Sequence, residues 1–151
     1  MTPVTSRPMT RRQAIALLGA SALALACTPA ESAPAPAAIA YGRDECDYCR
    51  MTIDDAALSA QLVSPGGRVH RFGEVGCLLA WIARQGAASP AGSAFVAVPA
   101  GWERADAVRY ARGRSRTPMR FDITVVTRGE DADGIAWVTL LQEGTPRVHA
   151  T

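Results

Sequence analysis

Pro65-Gly66-Gly67 stands between two short runs of strand-forming residues, and an amphipathic stretch follows directly. A turn of this composition joins antiparallel neighbours, so the chain is committed to a hairpin that leads into a helix. Ser59–Ser64 and Arg68–Phe72 are the predicted strands, with Leu62, Val69 and Phe72 supplying apolar side chains. Glu74–Gln85 is the predicted helix: Val75, Leu78, Leu79 and Ile82 recur at helical spacing, Trp81 lies beside them, and Gly86 is placed to end it. The apolar run Ala94–Val98 suits a buried strand. A similar order recurs further on, with strands at Ala107–Ala111 and Phe121–Thr127 and a helix over Asp131–Gln142. Asp131 or Asp133 would cap that helix, Gly144 follows its end, and Ile135, Val138 and Leu141 would form its buried stripe with Trp137 nearby. Arg147–Ala150 would close the chain as an edge strand. The expected class is α+β: two ββαβ-like units, over 41–100 and 101–151, with no residue-level repeat between them.

The first 26 residues read as an address. Arg7, Arg11 and Arg12 precede an apolar stretch from Ala14 to Ala26, shorter than the ~20 residues a permanent span needs and suited to an export signal. The Arg11-Arg12 pair is that of a twin-arginine signal. Ala24-Leu25-Ala26-Cys27 resembles a lipoprotein cleavage site, with Leu23 one residue further back than the usual pattern. Lipidation of Cys27 is preferred to plain cleavage after Ala26. Residues 27–40, rich in Pro, Ala and Ser, then form a flexible tether, and 41–151 the domain. The expected location is the periplasmic side of a bacterial membrane, held by a lipid anchor. Removal of the signal leaves thirteen arginines against fourteen acids, a net charge of −1 rather than +2, which gives no reason to expect a nucleic-acid partner.

Cys46-Asp47-Tyr48-Cys49-Arg50-Met51 gathers three sulfurs in six residues. Thiolate and thioether donors together select Cu(I), which accepts two or three of them. If a strand begins at Cys49, its period of two sets Cys49 and Met51 on one face, with Cys46 folding back as a third donor and Tyr48 shielding the ion. Other readings compete. Cys46 and Cys49 suit a thiol–disulfide centre, although the residues after Cys49 look extended where a thioredoxin-like motif has a helix. Cys46, Cys49, Cys77 and His70 would make a structural zinc set, although only one short-spaced pair is present. Met51 taken alone is equally a core residue, and Cys77, on the apolar helix face, is preferred as a buried structural thiol. His70 is a candidate additional ligand. With Cys27 acylated, three cysteines remain, and an odd number cannot all pair within the chain.

These residues carry a family resemblance. The chain resembles NosL, the accessory lipoprotein of nitrous oxide reductase maturation, in its export signal, its C-x-x-C-x-M run, the later Thr117-Pro118-Met119, and the order of its elements over 41–151. The resemblance implies two related ββαβ units, Cu(I) binding, and delivery of copper to nitrous oxide reductase or its copper-site assembly proteins. Cys49 and Met51 match the family's C-G-M and are the implied ligands, Cys46 matches the first cysteine, and Met119 matches the Thr-Pro-Met methionine as a ligand or packing residue. Arg50 stands where the family has glycine, and would place a cation beside the sulfurs.

The sequence shows no G-x-S-x-G, no H-E-x-x-H and no phosphate loop. A metal carrier rather than an enzyme is expected. Six arginines lie between Arg104 and Arg120, with Glu103 and Asp106 among the nearby acids; a solvated loop is preferred there to a docking surface for an acidic partner.

Overall fold

In the computed structural model, which describes residues 33–86, 92–113, 117–126 and 133–147, Pro65-Gly66-Gly67 closes the expected hairpin. Strand β1 (Ala60–Val63) runs antiparallel to β2 (Val69–Phe72), with Val63 opposite Val69. The turn is sealed by Ser64 N–H on Arg68 O at 2.8 Å and Gly67 N–H on Ser64 O at 2.9 Å. Gly66 and Gly67 both have positive φ, 89° and 84°, a region that costs glycine nothing.

Helix α1 (Val75–Arg84) lies against β1 and β2 and also touches the second half of the chain. That double contact explains its burial: Val75 to Ala80 are all inside, not the expected stripe alone. Gly76 permits the approach, because a Cβ there would stand 2.2 Å from the Cβ of Phe121. Strand β3 (Ser93–Val98) pairs with the other edge of β1, and β4 (Gly101–Arg104) pairs with β3. The sheet order is β2-β1-β3-β4. Strand β4 was not expected from its sequence; it extends the first sheet past the boundary placed at residue 100.

A short 3₁₀ turn (Ala105–Ala107) leads into the second sheet, ordered β6-β5-β7, of β5 (Arg109–Arg112), β6 (Ile123–Val126) and β7 (Ile135–Ala136). Helix α2 is shorter than expected, Trp137–Glu143, with the extended Ala136 at its N-cap. Residues 135 and 136 pair with β5 instead of continuing a helix back to Asp131. Asp133 therefore does not cap it, and Asp131 lies outside the described residues. The later start also rotates the buried stripe: Trp137 and Leu140 are inside while Val138 is 58% exposed. Gly144 ends the helix as expected, its N–H on Leu141 O at 3.2 Å. Tyr110 on β5 is buried against Trp137, and its hydroxyl donates to Ala105 O at 2.8 Å.

The class is α+β, two antiparallel sheets with two helices. In the second half the small strand precedes its helix; of the closing strand, Arg147 is not in a strand and 148–150 lie outside the described residues. The export signal and Cys27 also lie outside them. The end of the tether is tied down: buried Gln61 accepts from Ala37 N–H at 2.9 Å and donates to Ala37 O at 2.7 Å, so residue 37 already belongs to the sheet's cover. No helix among the described residues is long and apolar enough to cross a membrane.

Candidate metal centre

The C-x-x-C-x-M run is a turn, not the start of a strand. Glu45 bridges Thr52 in antiparallel fashion, Cys46 N–H donates to Met51 O at 2.8 Å, and Arg50 N–H donates to Cys46 O at 2.9 Å. Arg50 closes the turn with φ 66°, in the left-handed region, and this breaks the period of two that would have aligned Cys49 with Met51. The turn is pinned to β2 through Asp47, whose N–H donates to Arg71 O at 2.8 Å and whose Oδ2 accepts Arg71 N–H at 3.0 Å.

This docking carries the motif to the first turn of α1, and a third cysteine meets it there. Sγ of Cys46, Cys49 and Cys77 all lie within 4.8 Å of one another. Three sulfurs bound to one ion at ~2.3 Å stand about 4 Å apart, so the cluster needs only a small contraction to hold a soft cation. Cys77 was preferred as a structural thiol; it is buried, 1% exposed, and is also the third corner of the cluster. Cys46 is equally buried at 1%, while Cys49 is partly exposed.

The three thiols are electrostatically unequal. Cys46 is lowered to about 5, first by the hydrogen bond from the Cys77 thiol and then, against the cost of burial, by the backbone N–H groups of Cys49, Gly73 and Tyr48. Cys77 is pushed far up, because its S–H is held by the Cys46 thiolate and because it is buried. Burial and the Cys46 charge raise Cys49, opposed by a backbone hydrogen bond at Met51. The three thiols are thus set apart in direction, Cys46 below the ordinary thiol range and Cys49 and Cys77 above it.

The remaining sequence candidates fall around this cluster in different ways. Met51 is 47% exposed on the outer part of the turn. Met119 is partly buried against the core, and its N–H donates to Glu74 Oε1 at 2.7 Å. His70 does not join the thiols: its Nδ1 is 3.3 Å from Asp47 Oδ2, and its ring lies 4.6 Å from that of Trp81. Arg50 does not serve the sulfurs either; its guanidinium pairs with Glu45 at 2.6 Å, and the causes of the low Cys46 value are hydrogen bonds. Tyr48 packs beside the cluster's supporting residues, with Arg84 5.2 Å from its ring centre and Phe121 at 6.3 Å. The basic stretch is not the expected loop over most of its described length: Arg104 ends β4 and Arg109 and Arg112 lie on β5, with Arg104 paired to Asp106 and Arg112 to Glu143; Arg114 and Arg116 lie outside the described residues.

Glu74 is a residue that sequence reasoning did not single out. It is buried beside the cluster, with Oε1 3.8 Å from Cys77 Sγ, and burial raises its carboxyl above the ordinary range. Comparison of the chain with family models, with curated proteins and with solved structures gives no match.

Proposed function

We propose that the domain is a Cu(I) carrier whose site is the Cys46–Cys49–Cys77 cluster. One observation carries the reading: three thiols within 4.8 Å of one another, with no His, Asp or Glu completing the group among the described residues. Three thiolates satisfy Cu(I), whereas structural zinc takes four donors in a tetrahedron. The graded exposure suits transfer. Cys46 and Cys77 are sealed, while Cys49 and half-exposed Met51 are the sulfurs that a partner's ligand reaches first. Copper would leave by ligand exchange from that side, with the buried pair released last.

The resemblance to NosL extends this reading to a lipid-anchored periplasmic chaperone that passes copper to nitrous oxide reductase or its assembly proteins. The backbone supports the resemblance at one point: the family's glycine position, here Arg50, adopts positive φ, the conformation for which glycine is the ordinary residue. A thiol–disulfide enzyme fits less well. Such enzymes present a low-pKa thiolate to their substrate, and here the low-pKa thiol is the sealed Cys46 while the reachable Cys49 is held protonated.

An anaerobic titration of the reduced full chain, Cu(I) against a chromophoric chelator and Zn(II) in parallel, tests the carrier reading. Expected is one tightly held Cu(I) per chain, weak zinc, and loss of the tight site in Cys77→Ser as well as Cys49→Ser. Failure to compete for Cu(I) sinks it.

A further inference from the structure

Glu74 sits at the N-cap of α1 yet makes no capping hydrogen bond, a position where a shorter polar side chain would satisfy the helix end. It is 1% exposed, and a buried carboxyl is costly unless its contacts compensate. Its contacts lie off the helix end. Oε1 accepts the Met119 amide at 2.7 Å and faces Cys77 Sγ at 3.8 Å. Oε2 has no partner. One side chain thus joins a corner of the thiol cluster to a loop some forty residues later, against the cost of an orphaned oxygen.

That loop is built to present its amide. Thr117 N–H donates to Asp122 Oδ1 and Asp122 N–H to Thr117 Oγ1, both at 3.1 Å, and Arg120 N–H closes on Thr117 O at 2.9 Å. Phe121 then packs against Gly76, one residue before Cys77. Two independent contacts, one polar and one apolar, therefore hold the loop to the first turn of α1.

We propose that Glu74 is a positioning residue of the metal centre: it aligns Cys77 with the other two sulfurs and ties the Met119 loop to the cluster, so that the loop responds to loading and restrains release. The proposal rests on the carrier reading for its metal, but its core is a contact that exists without one. Hydrogen-bond partners that hold a metal's ligands in place commonly change metal affinity by ~10–100-fold.

The experiment compares the full-length wild type with Glu74→Met, which fills the space without an acceptor, and Glu74→Gln, which keeps one. Amide hydrogen exchange at Met119 is read in the reduced, metal-free protein. The rate at which a chelator removes Cu(I), and the thiolate-to-copper absorption band, are read in the loaded protein. In Glu74→Met the Met119 amide should exchange at least tenfold faster while amides of β1 and β3 stay protected, copper removal should quicken about tenfold, and Glu74→Gln should restore most of both. Should Glu74→Met fail to fold, the loaded wild type still decides, because its Met119 amide resonance must move on Cu(I) addition. Wild-type exchange and removal rates in a folded Glu74→Met, or an unmoved Met119 amide in the loaded wild type, overturn the proposal. If the wild type takes up no Cu(I), the carrier reading fails, and Met119 exchange in the metal-free variants still decides whether Glu74 holds the loop.

Discussion

Two loops flank the first turn of α1, and they are held by different means. The Cys46–Met51 turn is closed by backbone hydrogen bonds and sits on a bridge between Glu45 and Thr52, with two more contacts fastening Asp47 to β2. The Thr117–Asp122 loop is closed largely by side chains and reaches α1 through Glu74 and Phe121. Backbone bonds within a small turn are made whenever the turn forms. Side-chain clamps across the fold depend on how two distant segments pack. The first loop therefore supplies two fixed sulfurs, and the second is the adjustable wall of the same site.

The largest break in that comparison is at Gly76. A Cβ there meets the Phe121 side chain at 2.2–2.5 Å, so Gly76→Ala forces the second loop away while leaving the first untouched. Overpacking of this kind costs about 1–3 kcal/mol, or a Tm fall of roughly 4–15 °C in a domain of this size. Thermal unfolding of the reduced protein checks it, and an unchanged Tm would show that the loop is not seated on α1.

Next come the two cysteines of the first loop, which differ in burial. Cys46→Ser puts a smaller, more polar hydroxyl in place of a sealed sulfur of the core, and should cost about 1–3 kcal/mol of stability. Cys49→Ser, at the partly exposed corner, should cost less than about 1 kcal/mol. Both should lower Cu(I) affinity by more than the ~10–100-fold of an outer-shell loss. Denaturant titration beside Cu(I) competition separates the two effects, and equal stability losses would contradict the burial difference.

The legibility of these parts follows the same division. The hairpin and α1 are written locally, in Pro65-Gly66-Gly67 and in the spacing of Val75, Leu78, Leu79 and Ile82, and they form within a residue or two of the expected bounds. Strand β4 has no such signal, since Gly101-Trp102-Glu103-Arg104 becomes a strand only because β3 offers a free edge. The start of α2 was misplaced for a similar reason: Asp133 is a sound cap locally, but Ile135 and Ala136 pair with β5. Cys46 and Cys49 stand out by spacing alone. Cys77 read as core, and it is core; what a linear reading lacks is that docking Asp47 on β2 brings the motif to the first turn of α1. Glu74 looked like a helix-start residue, and its partners lie in a segment with no periodic link to it.

A pH scan sharpens the contrast between the sealed thiols. Cys46 is lowered to about 5 when folded, so the stability it contributes is present above the unfolded thiol value and is lost as pH falls through about 5. Cys77 is raised when folded, so its contribution is full below the unfolded value of ~8.5 and declines as pH rises past it and the unfolded chain ionises. The thiols' contribution to the stability of the reduced, metal-free protein should therefore rise from about pH 5, peak near the unfolded thiol value of ~8.5 and decline beyond it. Cys46→Ser should weaken the acid limb, and thiolate absorbance in the wild type should develop well below the ordinary thiol range. Absorbance that appears only near pH 8–9 would contradict the shared-proton arrangement.

The smallest expected effect is at Arg50, where backbone and side chain pull in opposite directions. Positive φ, here 66°, costs a non-glycine residue roughly 1 kcal/mol, which Arg50→Gly would relieve. The same change removes the pair with Glu45, whose partners are 68% and 51% exposed, so the loss is a few tenths of a kcal/mol at most. Glycine also makes the unfolded chain more flexible, which offsets part of the gain. The net change should stay within about 0.5 kcal/mol, and the Cu(I) affinity should hold, since the turn is closed by its backbone and the Cys46 thiolate is held by Cys77 and amide donors. A marked drop in copper affinity in Arg50→Gly would instead assign the guanidinium a part in the site, and would move the first loop from a backbone-made seat to one that also relies on its side chains.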